Sequence, residues 1–237
     1  MIKRIAFVRR NPALSADEFH ERWRGPHAEL ARENPADADH LLRYEQHRRT
    51  PRDYERPDAP WDGVAIQWWD SLDGFRRARA DPRRAPIAED AAGLFAPDGI
   101  LEVLTETERE VIPGPLPRPD RVTKLVCGVR HRSDMDVDAF HRYWWDVHGP
   151  INRDTPAVAR YLLRYEQNHR LPDDYARPGC DLDGVTVEWF RSARDFFAMA
   201  IDPESRDTIR ADEEKFLDTD RLVWVLTGPE HVVLDRT

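Results

Sequence analysis

Two hydrophobic rhythms take turns along this chain, and they do so in the same order twice. Residues 2–9 alternate apolar and polar side chains and are rich in β-formers, which predicts a strand. Ser15 followed by Glu18 is a capping box and opens a helix. Phe19, Trp23 and His27, spaced four apart, share one face of it, and Gly25-Pro26 should disturb that helix near His27. Residues 41–47 and 64–69 read as two more strands, separated by a loop rich in Pro, Arg and Asp. Ser71 caps a second helix, Asp81-Pro82 breaks it, a further helical stretch leads to Phe95, and residues 100–105 form a fourth strand. The order β-α-β-β-α-β is that of the ferredoxin-like split βαβ unit.

The second pass lies 121 residues downstream with no gap. Leu41-Leu42-Arg43-Tyr44-Glu45-Gln46 returns as Leu162-Leu163-Arg164-Tyr165-Glu166-Gln167, and Phe19, Trp23, His27, Asp53-Tyr54, Asp62-Gly63 and Trp68 return as Phe140, Trp144, His148, Asp174-Tyr175, Asp183-Gly184 and Trp189. A repeat this long is a duplicated domain. The proline-dense stretch 112–119 supplies the boundary, giving residues 1–112, a linker 113–121 and residues 122–237, with an extra edge strand expected after Gly228-Pro229. A sheet with helices on one face needs cover on the other. The expected fold is therefore α+β: two βαββαβ repeats whose sheets pack face to face, as an intramolecular dimeric barrel around a small-molecule cavity.

Composition narrows the classes. The net charge of −9 argues against a nucleic-acid partner, and no apolar run reaches membrane-spanning length. Cys127 and Cys180 have no cysteine counterparts in the other repeat and no CxxC spacing, so a thiolate metal site is not expected and the chain reads as cytoplasmic. Nucleotide-binding glycine loops, nucleophile elbows and HExxH helices do not occur, so no cofactor is expected. A monomeric pseudo-dimer or a homodimer would suit the duplication.

Candidate chemistry centres on the residues that titrate near neutrality or sit among aromatics. His148 and His27 end the first helix of each repeat and could move a proton, or could merely cap helix carbonyls. In strand two, Leu42, Tyr44 and Gln46 share one face and Arg43, Glu45 and His47 the other. In strand three the apolar set should face the helices. Gln67 and Glu188 should then look into the cavity with the Arg/Glu set (Glu45, Arg164, Glu166), unless Tyr165 is the cavity group instead. Glu188 in an apolar setting would have a raised pKa. Trp144, Tyr44, Phe190 and Asn168 complete the expected lining. His20 and His141 are poorly spaced for a metal, and none is expected.

The run Phe140-His141-Arg142-Tyr143-Trp144-Trp145-Asp146-Val147-His148-Gly149-Pro150 resembles the EthD family of dimeric α+β barrels, as do Arg164-Tyr165-Glu166-Gln167-Asn168-His169 and the strand from Asp183-Gly184-Val185 to Trp189-Phe190. Repeat one keeps Phe19, His20, Trp23 and His27 but has Arg22 for Tyr and Gly-Pro ahead of the histidine. The resemblance implies a superfamily that includes cofactor-free isomerases, polyketide cyclases and dehydratases, quinone-forming monooxygenases and haem enzymes, so the fold alone does not choose the reaction. The favoured expectation is a cofactor-independent acid/base enzyme on a small hydrophobic carbonyl compound: a dehydratase, cyclase or isomerase. In that reading His148 moves the proton, Glu188 is the second acid/base, and Tyr165 or Arg164 polarises the carbonyl. The rivals are a carrier without chemistry, a haem-binding barrel, and an interaction protein whose barrel is filled.

Overall fold

The computed structural model describes residues 1–56, 59–116 and 118–237; Pro57-Asp58 of the loop after strand two and Pro117 of the linker lie outside them. The elements of repeat one are β1 (Ile2–Arg10), α1 (Ala16–Arg22), α2 (Ala28–Glu33), β2 (Leu41–Arg48), β3 (Gly63–Trp69), α3 (Leu72–Ala80), α4 (Ala85–Leu94) and β4 (Phe95–Thr105). After β5 (Arg109–Ile112) repeat two follows with β6 (Thr123–Val129), α5 (Val137–Tyr143), α6 (Gly149–Asp154), α7 (Pro156–Ala159), β7 (Leu162–His169), β8 (Gly184–Phe190), α8 (Ala193–Ile201), α9 (Pro203–Phe216) and β9 (Val223–Thr227). The chain ends on β10 (His231–Asp235). Among the described residues no helix is long and apolar enough to cross a membrane.

Each repeat forms an antiparallel sheet with the expected ferredoxin-like order, β2-β3-β1-β4 and β7-β8-β6-β9. The edge strands depart from the sequence-based boundaries. Arg109–Ile112 pairs with β7, and the C-terminal β10 pairs with β2. The first compact unit is accordingly residues 1–107 with 176–180 and 230–237; the second is 108–175 with 181–229. The expected break at 112 therefore falls inside the second unit. Pattern reading follows local periodicity, whereas a short edge strand chooses its neighbour by free hydrogen-bonding groups elsewhere in the fold.

The first helix of each repeat is not broken by its Gly-Pro. It widens into a π turn, Trp23–His27 and Trp144–His148, and then continues as α2 or α6. In repeat one Pro26 lies inside the wide turn, while Gly149-Pro150 opens α6 in repeat two. A π turn moves the donor to a backbone carbonyl from the fourth residue on to the fifth, as the Gly149 N–H does for Trp144 O. The carbonyl that opens the turn also accepts from the sheet: Gln46 Nε2 donates to Trp23 O at 2.8 Å, and Gln167 Nε2 to Trp144 O at 2.8 Å. The same amides reach the hydroxyls of Tyr44 (3.1 Å) and Tyr165 (2.9 Å). Gly63 and Gly184 allow this close approach, since a Cβ at either would meet strand-two backbone and the Trp23 or Trp144 ring within 2.7 Å.

These contacts settle which face the helices cover. Tyr44 and Gln46 lie under the helices, and Gln67, directly across from Tyr44, lies there too. Tyr165, Gln167 and Glu188 form the matching set in repeat two. Glu45, Arg164, Glu166 and Asn168 stand on the opposite face, so the expected grouping of Gln67 and Glu188 with the Arg/Glu set is corrected. The apolar set Val64-Ile66-Trp68 lies on the face away from the helices, because strand two pins its tyrosine and glutamine to them.

The recurring acidic motifs are structural. Asp53 is held by Arg49 and Arg56, and Asp174 by Arg170. Asp62 and Asp183 each accept from the tyrosine of the loop, Tyr54 or Tyr175, at 2.9 Å.

Gln167→Leu keeps the volume and removes the donor that serves both the Trp144 carbonyl and the Tyr165 hydroxyl. Losing one donor from each of these buried groups, while the Gly149 N–H still serves the Trp144 carbonyl, should cost about 1 kcal/mol in urea unfolding; an unchanged midpoint would show that the clamp is dispensable.

Candidate active site

His27 is carried by the π turn of repeat one and is almost fully buried. Its Nδ1 lies 2.7 Å from Asp90 Oδ2 on α4, and its ring meets Phe95 edge-on at 5.5 Å. With a carboxylate on Nδ1 the proton belongs on that nitrogen, which leaves the Nε2 lone pair outward. Nε2 has no partner among the described residues. Burial lowers the His27 pKa and Asp90 only partly restores it, so the imidazole is neutral at pH 7.

The histidine lines a cavity of about 80 Å³ between the helices and the sheet of the first unit. Trp23, Tyr44 and Gln67 line it with His27, as do three arginines: Arg4 from β1, Arg79 from α3 and Arg84, which precedes α4. Arg4 donates to Glu102 Oε2 at 2.6 Å and to Gln67 Oε1 at 3.3 Å. Burial would raise the Glu102 carboxyl, but Arg4, Arg79 and Arg177 hold it down to about 2. Arg84 is paired with Asp37. Burial lifts the Tyr44 hydroxyl above its ordinary pKa, so the phenol keeps its proton.

Repeat two builds the same dyad but closes it. His148 Nδ1 is 2.8 Å from Asp212 Oδ2. Asn152 Nδ2 lies 3.0 Å from His148 Nε2 and donates to His148 O at 2.9 Å. Ala31 occupies the Asn152 position in repeat one, so nothing there caps the histidine. The positions of Arg4 and Arg79 become Leu125 and Ala200. Under the repeat-two helices sits Glu188 instead, across from Tyr165 and with no hydrogen bond or ion pair among the described residues. Burial and the nearby charge of Glu213 push its carboxyl up to about 8. The Cys127 thiol is raised by the same burial.

The structure thus brings His27, Tyr44, Gln67 and Trp23 together in one cavity. It groups His148, Tyr165, Glu188 and Trp144 under the helices of repeat two, with Phe190 on that face beside Val158 and Leu162. Glu45, Arg164, Glu166 and Asn168 join neither group. Neither histidine is placed to hold a haem iron: Asn152 covers His148 Nε2, and the space before His27 is far smaller than a porphyrin.

Sequence reading missed Asp90, Asp212, Arg4, Arg79, Arg84 and Asn152. The two aspartates are offset by 122 residues rather than 121, so a gapless overlay sets Asp90 against Ala211. The cause is winding: a 3₁₀ turn at Pro82–Arg84 precedes α4, whereas α9 is helical from Pro203 onward. The usable signal was a carboxylate on the apolar face of α4, three residues after Ile87.

The EthD domain model matches this sequence twice, at residues 11–98 and 132–220. A comparison with curated protein sequences finds no match. Solved structures with a similar fold include an anthrone oxidase-like protein (10% identity, 100% of this chain and 94% of that one, TM-score 0.57). A protein named as a monooxygenase from Fusobacterium nucleatum subsp. nucleatum is also similar (5% identity, 98% and 93%, TM-score 0.54). So is a mutant chlorite dismutase from Candidatus Nitrospira defluvii in complex with cyanide (10% identity, 96% and 90%, TM-score 0.51). At these identities the likeness is one of fold.

The folded protein holds the Glu188 proton up to about pH 8, whereas the unfolded chain releases it near 4.5. Stability should therefore fall as pH rises through that window. Glu188→Gln removes the penalty and should stabilise the protein on the order of 4 kcal/mol at pH 8 and by nothing at pH 4. Denaturation at both pH values checks it; equal gains at both would contradict the assignment.

Proposed function

Because the chain belongs to the EthD family and carries its domain twice, we propose that it is a small-molecule enzyme whose working site is the helix-covered cavity of repeat one. The reaction is proton transfer next to a carbonyl, without a cofactor. His27 Nε2 takes the proton from carbon, the electron pair moves onto the carbonyl oxygen, and the His27–Asp90 pair carries the new positive charge. Gln67 and Tyr44 are the neutral donors available to the developing enolate, and Arg4 adds positive potential beside Gln67. Reprotonation at another atom, or loss of a leaving group, would give the isomerase, cyclase or dehydratase outcome expected from the sequence.

The observation that carries this reading is the difference between the two dyads. His27 keeps a lone pair facing a cavity, while the equivalent atom of His148 is capped by Asn152. A base needs an accessible lone pair and a pKa that leaves it unprotonated at working pH. The reading moves the principal role from His148 to His27, and it makes Glu188 a buried proton holder of repeat two. The cavity has room for only a few waters, so the reacting group is small.

Exchange of α-protons of small keto compounds into D₂O, followed by NMR with and without air, tests the proposal. His27→Ala and Asp90→Asn should each slow exchange about a hundredfold or more, while His148→Ala should leave it unchanged. With the His27 pKa lowered below 6.5 by burial, the rate should stay level from pH 8 down to 6.5 and fall only at lower pH. Binding by the wild-type protein without any exchange would favour a carrier.

A further inference from the structure

We propose that the cavity of repeat one selects substrates bearing a carboxylate, and that Arg79 is the residue that binds it. This rests on the reading of that cavity as a substrate site and names its substrate class.

Three guanidinium groups line one small cavity in a chain whose net charge is −9. Two of them are already matched. Arg4 is doubly bound to Glu102, which also accepts from Arg177 Nη1 at 3.2 Å, and Arg84 is bound to Asp37. Arg79 differs. It has no hydrogen-bond or ion-pair partner among the described residues, and its one close companion is the Phe75 ring, 6.0 Å from the guanidinium carbon and one turn earlier on α3. The two carboxylates that could have answered it, Glu102 and Asp37, are occupied by other arginines. The neighbouring charge of Arg4 lowers the Arg79 pKa, so this cation sits in an unfavourable potential. An unpaired guanidinium beside a second cation at a cavity wall is relieved by an anion from outside.

Repeat two supplies an internal comparison. It keeps the tyrosine, the clamp glutamine and the histidine–aspartate pair, yet replaces Arg4 and Arg79 with Leu125 and Ala200 and puts Glu188 where Gln67 stands. The fold therefore does not require these two arginines. They accompany the uncapped histidine and are absent beside the capped one. A planar oxyanion fits the fork of a guanidinium with two parallel hydrogen bonds. A carboxylate on the substrate would place its adjacent carbonyl under Gln67 and Arg4, where deprotonation generates negative charge. Arg79 is exposed at the cavity edge, so its removal should leave folding intact.

The test compares acetoacetate with acetoacetamide, equal in size but different in charge, using the full chain. Wild type should bind acetoacetate at least about tenfold more tightly than the amide in calorimetry. Arg79→Gln should remove that preference by weakening acetoacetate alone, and Arg79→Lys should restore part of it. His27→Ala should bind acetoacetate normally while losing proton exchange. Failure of the carboxylate preference is thereby separated from failure of the base: the first shows in binding and the second in exchange. Equal affinity for the two probes, or an Arg79→Gln protein that still prefers acetoacetate, would overturn the proposal. So would inorganic phosphate binding more tightly than acetate in an Arg79-dependent way, because the anion would then not be a carboxylate.

Discussion

The carbonyl that opens the wide turn of the first helix is the point around which each repeat is arranged. In repeat two its helical donor is the Gly149 N–H, five residues on instead of the usual four, and the sheet adds a second donor to the same oxygen. The strand-two glutamine answers from the sheet in both repeats, at the same distance. Several features follow from that single bond. The glutamine must face the helices, so the tyrosine two residues earlier faces them as well. The indole of the turn must come down on the sheet, so the strand beneath it begins with glycine. The histidine at the end of the turn is carried toward the last helix, where an aspartate meets it. The wide turn is therefore bound to the sheet as well as to its own helix.

The same scaffold carries two different electrostatic states. In repeat one the space under the helices is positive and holds a neutral imidazole with a lone pair to spare. In repeat two it holds a protonated carboxyl and a histidine engaged at both nitrogens. A few substitutions account for the contrast: Ala31 against Asn152, Gln67 against Glu188, and Arg4 and Arg79 against Leu125 and Ala200. Duplication permits this division, because either copy can change its lining while the other keeps its own.

Much of the fold was legible in the sequence. The periodicity fixed the elements, the gapless repeat fixed their number, and Ser15-Glu18 marked a helix start that the structure reproduces as a capping box. The site was legible only in part. His27 and Tyr44 stood out by residue type and position. Their grouping was misjudged because the three apolar residues of strand three suggested the helix side, whereas a single glutamine two residues from the tyrosine decided it. Asp90 was hidden by a one-residue change of winding, which no position-by-position comparison of the repeats can reveal. The arginines were hidden in plain sight among many others. What distinguishes Arg79 from its surface neighbours is the prior engagement of every nearby carboxylate, a property of three dimensions.

The exchanged edge strands carry a consequence for how this chain can be divided. Residues 109–112 complete the second sheet although they precede the linker, and residues 231–235 complete the first although they end the chain. Severing the polypeptide within the proline-dense stretch would leave an amino-terminal fragment that owns a strand foreign to it and lacks one it needs, with the carboxy-terminal fragment in the converse position. A cut there would bare the edge of β2 in one piece and of β7 in the other, and an open strand edge invites pairing with another chain.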